Sequence, residues 1–107
     1  MTEDKSYSAI ADENELAPGQ MKKFELNGKK LLLANADGEL HVVDEMCSHE
    51  DFSLYLGCIQ GKKIKCSLHG SYFDLASGEP LDEPACERIA TYPVTVKDGK
   101  VWTTTDR

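Results

Sequence analysis

The chain has 107 residues, and its 12 basic and 19 acidic side chains give it a net charge of −7. This length predicts one domain with a modest core, covering 1–107. The acidic balance argues against binding to nucleic acid, and it either favours a partner with a basic docking surface or serves solubility. Neither a run of about 18 apolar residues nor an apolar N-terminal segment occurs, so we expect a cytoplasmic protein that makes no contact with membranes.

The first segments of the chain predict a short strand followed by a turn. Residues 7–11 are expected to form the strand, and residues 12–16 a single helical turn. Asp12 and Glu15 have the spacing of a capping box, and Pro18-Gly19 ends the segment. Little helix is therefore predicted in this region.

A meander of three strands is predicted next. Residues 21–26 and 30–34 flank Asn27-Gly28, and Asp37-Gly38 separates the second of these strands from residues 39–44. Asn-Gly and Asp-Gly supply the positive φ angles that tight hairpins require.

The second half of the chain continues the pattern of short strands. Residues 50–65 are expected to return as a hairpin and 71–74 to form a strand, with a turn at 76–78 and a loop at 79–85. Residues 90–97 and 100–104 are expected to pair across Asp98-Gly99. No apolar stripe of helical period is present, so the sequence predicts an all-β fold, an antiparallel sandwich or barrel.

Two pairs of potential metal ligands stand on either side of residues 50–65. The first pair lies in Cys47-Ser48-His49 and the second in Cys66-Ser67-Leu68-His69. Thiolate and imidazole suit iron and zinc, so the two pairs can act as a two-armed clamp, with each arm on a loop at a strand end.

Other readings of the four side chains are a tetrahedral zinc site and a disulfide pair. Zinc knuckles usually open with two cysteines separated by two to four residues, and Cys-X-His is an unusual opening for them. No export signal precedes the cysteines, so their even number says little about oxidation.

The spacing resembles that of the Rieske iron-sulfur proteins, whose motif is Cys-X-His, a similar interval, and Cys-X-X-His-Gly. The resemblance implies a [2Fe-2S] cluster with Cys47 and Cys66 on one iron and His49 and His69 on the other. It also implies an antiparallel β base with an inserted cluster-binding subdomain, here about residues 45–84.

Further positions follow from the same resemblance. Ser71 is expected to donate a hydrogen bond to a cluster sulfur, and Pro84 to lie over the cluster, although an ordinary loop proline is the alternative. Phe52 and Leu68 stand where high-potential relatives have a disulfide, and Phe73 where they have a tyrosine. The chain therefore looks like the soluble, low-potential ferredoxins of aromatic-ring oxygenase systems, from which it departs at Ser67, where those proteins usually have proline.

The resemblance implies a one-electron carrier between a flavin-dependent reductase and a terminal oxygenase. The chain is not expected to be an enzyme, because the clamp leaves only His41 for a mononuclear iron site that needs two histidines. The alternatives are a Rieske-like small subunit of a nitrite reductase and a zinc-stabilised interaction module. We expect Cys58 and Cys86 to be buried thiols without a ligand role, and His41 to be exposed.

Overall fold

The computed structural model describes residues 7–46, 53–66, 72–81 and 88–105. Within these ranges the chain forms one 3-10 turn, Leu54–Leu56, and no helix long and apolar enough to cross a bilayer. The strands of the same ranges are β1 Ser8–Asp12, β2 Met21–Leu26, β3 Lys29–Ala36, β4 Glu39–Asp44, β5 Cys58–Gln60, β6 Lys63–Lys65, β7 Tyr72–Asp74, β8 Thr91–Tyr92, β9 Val94–Lys97 and β10 Lys100–Thr103.

The strands form three antiparallel sheets. Their orders are β1-β10-β9, β2-β3-β4-β8 and β5-β6-β7. The third sheet is built entirely from chain that lies between β4 and β8, which is where the sequence places the inserted subdomain. The all-β, antiparallel prediction is confirmed.

Three hairpins turn where the sequence predicts. Asn27-Gly28, Asp37-Gly38 and Asp98-Gly99 all have positive φ at both residues, with values between 53° and 92°. This backbone twist matches that of the flanking strands, and Asn, Asp and Gly adopt it with the least strain. The predicted strand 90–97 is interrupted, however: Pro93 has no N–H to donate, and β8 and β9 on its two sides belong to different sheets.

Residues 13–16 form a turn and no helix, so the helical turn predicted for residues 12–16 is wrong. Two hydrogen bonds nevertheless close this segment. The Glu15 N–H donates to the Asp12 carbonyl at 3.0 Å, and the Asp12 N–H donates to Glu15 Oε1 at 3.2 Å. Lys22 Nζ lies 2.9 Å from Glu15 Oε2 and, together with the Asp12 N–H, lowers the pKa of this carboxyl. Because Pro18 follows so closely, the segment closes as a turn and does not propagate.

Strand β3 is buried on both faces from Leu31 to Ala36. Its even-numbered residues enter one core and Leu31 and Leu33 enter another, as the alternation of a strand requires. The front core consists of Leu32, Ala34, Ala36, Val43, Leu54, Ile64, Cys66, Phe73, Leu75 and Ile89. The back core consists of Leu31, Leu33, Val42, Tyr92 and Val101.

Asp44 ties the end of β4 to β8. Its Oδ1 accepts a hydrogen bond from the Tyr92 hydroxyl at 2.8 Å, and its Oδ2 accepts one from the Ala90 N–H at 3.2 Å. The Asp44 N–H in turn donates to the Ala90 carbonyl at 3.0 Å. The strand that leads to Cys47 is thereby fixed shortly before the first predicted ligand.

We predict that Tyr92→Phe lowers the free energy of unfolding by about 1 kcal/mol, because it removes one hydrogen bond in a half-buried site and keeps the ring. Urea unfolding at constant pH measures the change. Tyr7→Phe is the matched control, since the Tyr7 side chain is 38% exposed, and it should change stability by less than about 0.5 kcal/mol. Equal effects of the two substitutions would contradict the role of Asp44.

Candidate metal centre

The predicted ligands Cys47 and His49 lie outside the described residues, but both ends of their stretch, residues 47–52, are fixed. Met46 and Ser53 form an antiparallel bridge. The Leu54 N–H donates to the Glu45 carbonyl at 2.7 Å, and the Ser53 hydroxyl donates to Glu45 Oε2 at 2.6 Å. The chain segments just before and just after this stretch are therefore hydrogen-bonded to each other.

The second stretch, residues 67–71, carries His69 and Ser71 and also lies outside the described residues. Its ends are joined by the pairing of Lys65 in β6 with Tyr72 in β7. Cys66, the predicted ligand that the structure describes, follows β6 directly. It is 1% exposed and packs in the front core.

The third stretch, residues 82–87, contains Pro84 and Cys86 and is again outside the described residues. The Leu81 N–H donates to the Tyr72 carbonyl at 2.8 Å, so the third stretch begins beside the residue at which the second one ends. At its far end the Ile89 N–H donates to the Gly78 carbonyl at 2.8 Å.

The segment 53–57 links the first stretch to the second. It bonds to Glu45 at one end, and at the other Gly57 approaches β6 so closely that a Cβ atom there would overlap the Lys65 carbonyl oxygen. Leu54 packs in the front core together with Cys66. The segment 53–57 therefore contacts both the residues before Cys47 and the residue before Cys66. The sequence alone did not indicate this role.

These observations fit a metal centre with soft ligands. Cys66 is a buried thiol at a fixed strand end, which is the kind of group that could supply one thiolate. The described ends of the two stretches that contain the other predicted ligands are each joined by strand pairing. In the part of the chain that the structure describes, no group of three or more His, Cys, Asp or Glu residues offers a competing site.

Two predictions about the exposure of individual side chains are wrong. Cys58 is exposed, because it lies on the solvent face of β5. The His41 side chain is only 17% exposed, and its Nε2 is buried at 3.5 Å from Glu39 Oε1. His41 lines a small cavity together with Leu75 and Thr91, which the alternation of β4 alone does not reveal.

We predict that Gly57→Ala destabilises the protein by about 2 to 3 kcal/mol, because the new methyl group forces the Lys65 carbonyl away from its position next to Cys66. Thermal or urea unfolding measures the loss, and the yield of bound metal should fall with it.

Gly61→Ala in the same hairpin is the control. Its φ of 61° carries a cost of about 1 kcal/mol, but the space around it is open. If Gly61→Ala were as damaging as Gly57→Ala, the close approach to β6 would not be the cause.

Comparison with known proteins gives consistent matches. The family model described as "Rieske [2Fe-2S] domain" matches residues 6–93. The ferredoxin component of biphenyl 2,3-dioxygenase from Rhodococcus jostii is 32% identical over 96 residues, which are 90% of this chain and 90% of the relative. The 3-phenylpropionate/cinnamic acid dioxygenase ferredoxin subunit of Photorhabdus laumondii is 37% identical and covers 84% and 86% of the two chains.

Among solved structures, the Sphingomonas yanoikuyae B1 ferredoxin superposes with a TM-score of 0.86 at 31% identity. The match covers 95% of this chain and 99% of that one.

Proposed function

Because the chain belongs to the Rieske [2Fe-2S] domain family, we propose that it is a one-electron carrier, the ferredoxin of a multicomponent oxygenase system. In this role it takes an electron from a flavin-dependent reductase and delivers it to a terminal oxygenase, which acts on an aromatic ring in the systems of its named relatives. The chain itself carries no catalytic residue in this proposal.

One observation carries the proposal. The likeness to the biphenyl dioxygenase ferredoxin covers 90% of both chains, so it concerns a whole ferredoxin component. The 32% identity to this ferredoxin favours an oxygenase ferredoxin over a nitrite reductase subunit, since a solved small subunit of that class matches at only 18% identity. The match to the Rieske [2Fe-2S] family model disfavours a zinc module. We also propose that the chain acts in the cytoplasm, which is the expectation drawn from its sequence.

Four side chains are proposed to hold the cluster, which supplies one-electron redox chemistry when bound. Cys47 and Cys66 would bind one iron, and His49 and His69 the other. The two thiolates would balance the positive charge that remains on two ferric ions and two sulfides, and the two imidazoles are neutral. The oxidised centre would therefore be uncharged. Gaining an electron then costs less than in a centre with four thiolates, and the product has a single negative charge.

Two further residues are proposed to tune and shield the centre. The Ser71 hydroxyl would donate to a sulfur of the cluster, and Pro84 would cover one side of it. Support for their placement is indirect: Tyr72, next to Ser71, accepts a hydrogen bond from Leu81 at the start of the stretch that contains Pro84. Phe73, at the tyrosine position of high-potential relatives, is fully buried in the same core as Cys66.

The proposal predicts that the protein purifies with a red-brown colour and contains about two irons and two sulfides per chain. His49→Ala and His69→Ala should each abolish the characteristic spectrum. His41→Ala is the control and should keep it, because His41 lies on β4 in contact with Glu39. A colourless protein with one zinc per chain would contradict the proposal.

The proposal also predicts the direction of two changes in reduction potential. A hydrogen bond to sulfur stabilises the added negative charge, so Phe73→Tyr should raise the potential and Ser71→Ala should lower it. One hydrogen bond of about 1 kcal/mol corresponds to some tens of millivolts for a one-electron couple. Voltammetry at one pH compares the variants with the wild type, whose potential should lie near the low end of the range of about −150 to +300 mV. If neither substitution moves it by more than about 10 mV, these side chains do not tune the centre.

A further inference from the structure

The sheet β5-β6-β7 has one buried face and one outer face. Its central row, Ile59, Ile64 and Phe73, packs in or against the front core. The strands alternate, so the neighbouring rows point away from that core. These outer rows are Cys58, Lys65 and Tyr72, and Gln60, Lys63 and Asp74.

Two lysines of the outer face are held against one aromatic ring. Lys63 Nζ lies 4.6 Å and Lys65 Nζ 5.8 Å from the centroid of the Tyr72 ring. The Tyr72 hydroxyl donates to Gln60 Oε1 at 3.0 Å, which fixes the ring across all three strands. We call Lys63, Lys65 and Tyr72 the lysine–tyrosine patch.

No described carboxylate forms an ion pair with Lys63 or Lys65. Lys62, on the turn beside it, lies 3.8 Å from Glu39, but neither Lys63 nor Lys65 is within ion-pair distance of a described carboxylate. Asp74, opposite Lys63 in the ladder, keeps its negative charge, but its Oδ2 accepts two hydrogen bonds at 2.9 Å from Ser77 and forms no ion pair with Lys63. Within the part of the chain that the structure describes, the two ammonium groups of the patch therefore have no carboxylate as ion-pair partner.

The patch lies at the edge of the second predicted ligand stretch. Lys65 directly precedes Cys66, and Tyr72 is the first described residue after residues 67–71. A protein that contacts Lys65 and Tyr72 therefore sits beside the chain that carries two of the four proposed ligands.

We propose that the lysine–tyrosine patch is the docking surface for a carboxylate-bearing surface of the electron donor, the flavin-dependent reductase. The inference rests on the proposed function and deepens it. The net charge of −7 favours a partner with a basic surface. At the lysine–tyrosine patch the local charge is positive, so here we infer a partner with an acidic surface.

The charge change on reduction explains why the donor is the fitting partner. An acidic donor binds the oxidised protein, in which the centre would be uncharged, more tightly than the reduced protein. In the reduced protein the added negative charge near Lys63 and Lys65 repels the donor. Electron transfer thereby weakens the complex and favours release of the reduced protein. The contact of both ammonium groups with the Tyr72 ring also limits the side-chain entropy lost on docking.

Flavodoxin hydroquinone, a flavin-containing donor with an acidic surface, is the probe for the test. It loses one electron to the oxidised protein and becomes the semiquinone. The second-order rate constant is measured by stopped-flow from the bleaching of the visible absorbance at low ionic strength. Lys63→Glu with Lys65→Glu should slow the reaction about tenfold, and the loss should shrink at about 0.5 M salt.

The matched control is Lys97→Glu with Lys100→Glu. It changes the net charge equally but lies on the β9–β10 hairpin of a different sheet. It should change the rate by less than about twofold. Equal slowing by both double variants would assign the effect to net charge, and an unchanged rate in the patch variant would exclude docking there; either result overturns the proposal.

The absorption spectrum separates failure of the docking proposal from failure of the proposed function. If the wild type lacks the cluster spectrum, both proposals are wrong. If the protein is coloured and the patch variant keeps its full rate, only the docking proposal is wrong. If the glutamates disturb the sheet and the spectrum is lost, Lys63→Gln with Lys65→Gln replaces them. That variant should react about threefold more slowly than the wild type, and an unchanged rate again overturns the proposal.

Discussion

The burial of β3 on both faces is the constraint on which the rest of the structure depends. A strand with two apolar faces needs a layer on each side, and the run Leu31-Leu32-Leu33-Ala34 has no polar residue that could face water. The back layer comes from the β1-β10-β9 sheet through Val101, with Ile10 and Val94 packed against the same core. The front layer comes mainly from the chain between β4 and β8, including Leu54, Ile64 and Phe73. Without that segment the front face of β3 would be exposed to solvent.

This requirement also fixes the described ends of the predicted ligand stretches. The residues that cover the front face of β3 are the same ones that fix the ends of the predicted ligand stretches: Leu54 bonds to Glu45, and Cys66 packs beside it in one core. Rigid support of this kind keeps metal ligands in place even when they lie on loops. Packing of the core and preorganisation of the site are therefore one structural feature, and a change such as a methyl group at Gly57 affects both.

The parts of the structure that sequence could predict are those determined locally. Asn27-Gly28 specifies a hairpin turn by its own conformational preference, so this turn can be predicted without knowledge of the fold. The Cys-X-His spacing is local in the same way, and the ligand pair that it indicates stays a prediction. The sides on which Cys58 and His41 lie depend on which strands pair and on what packs over them, and there the prediction was wrong. The close approach of Gly57 to Lys65, and the convergence of two lysines on Tyr72, arise from strand register, which local sequence does not determine.

Overall charge and local charge act over different distances, and this reconciles an acidic protein with a basic contact surface. At physiological ionic strength the Debye length is about 8 Å, whereas the chain extends over 39 × 29 × 19 Å. Carboxylates on the far side are thus screened from a partner that approaches the β5-β6-β7 sheet, and the near charges, Lys63, Lys65 and Asp74, act on it most strongly. The excess of acidic residues then maintains solubility and disfavours association elsewhere on the surface. Net charge alone therefore does not identify the sign of the partner's surface, because the sign is set by the residues within a few ångströms of the contact.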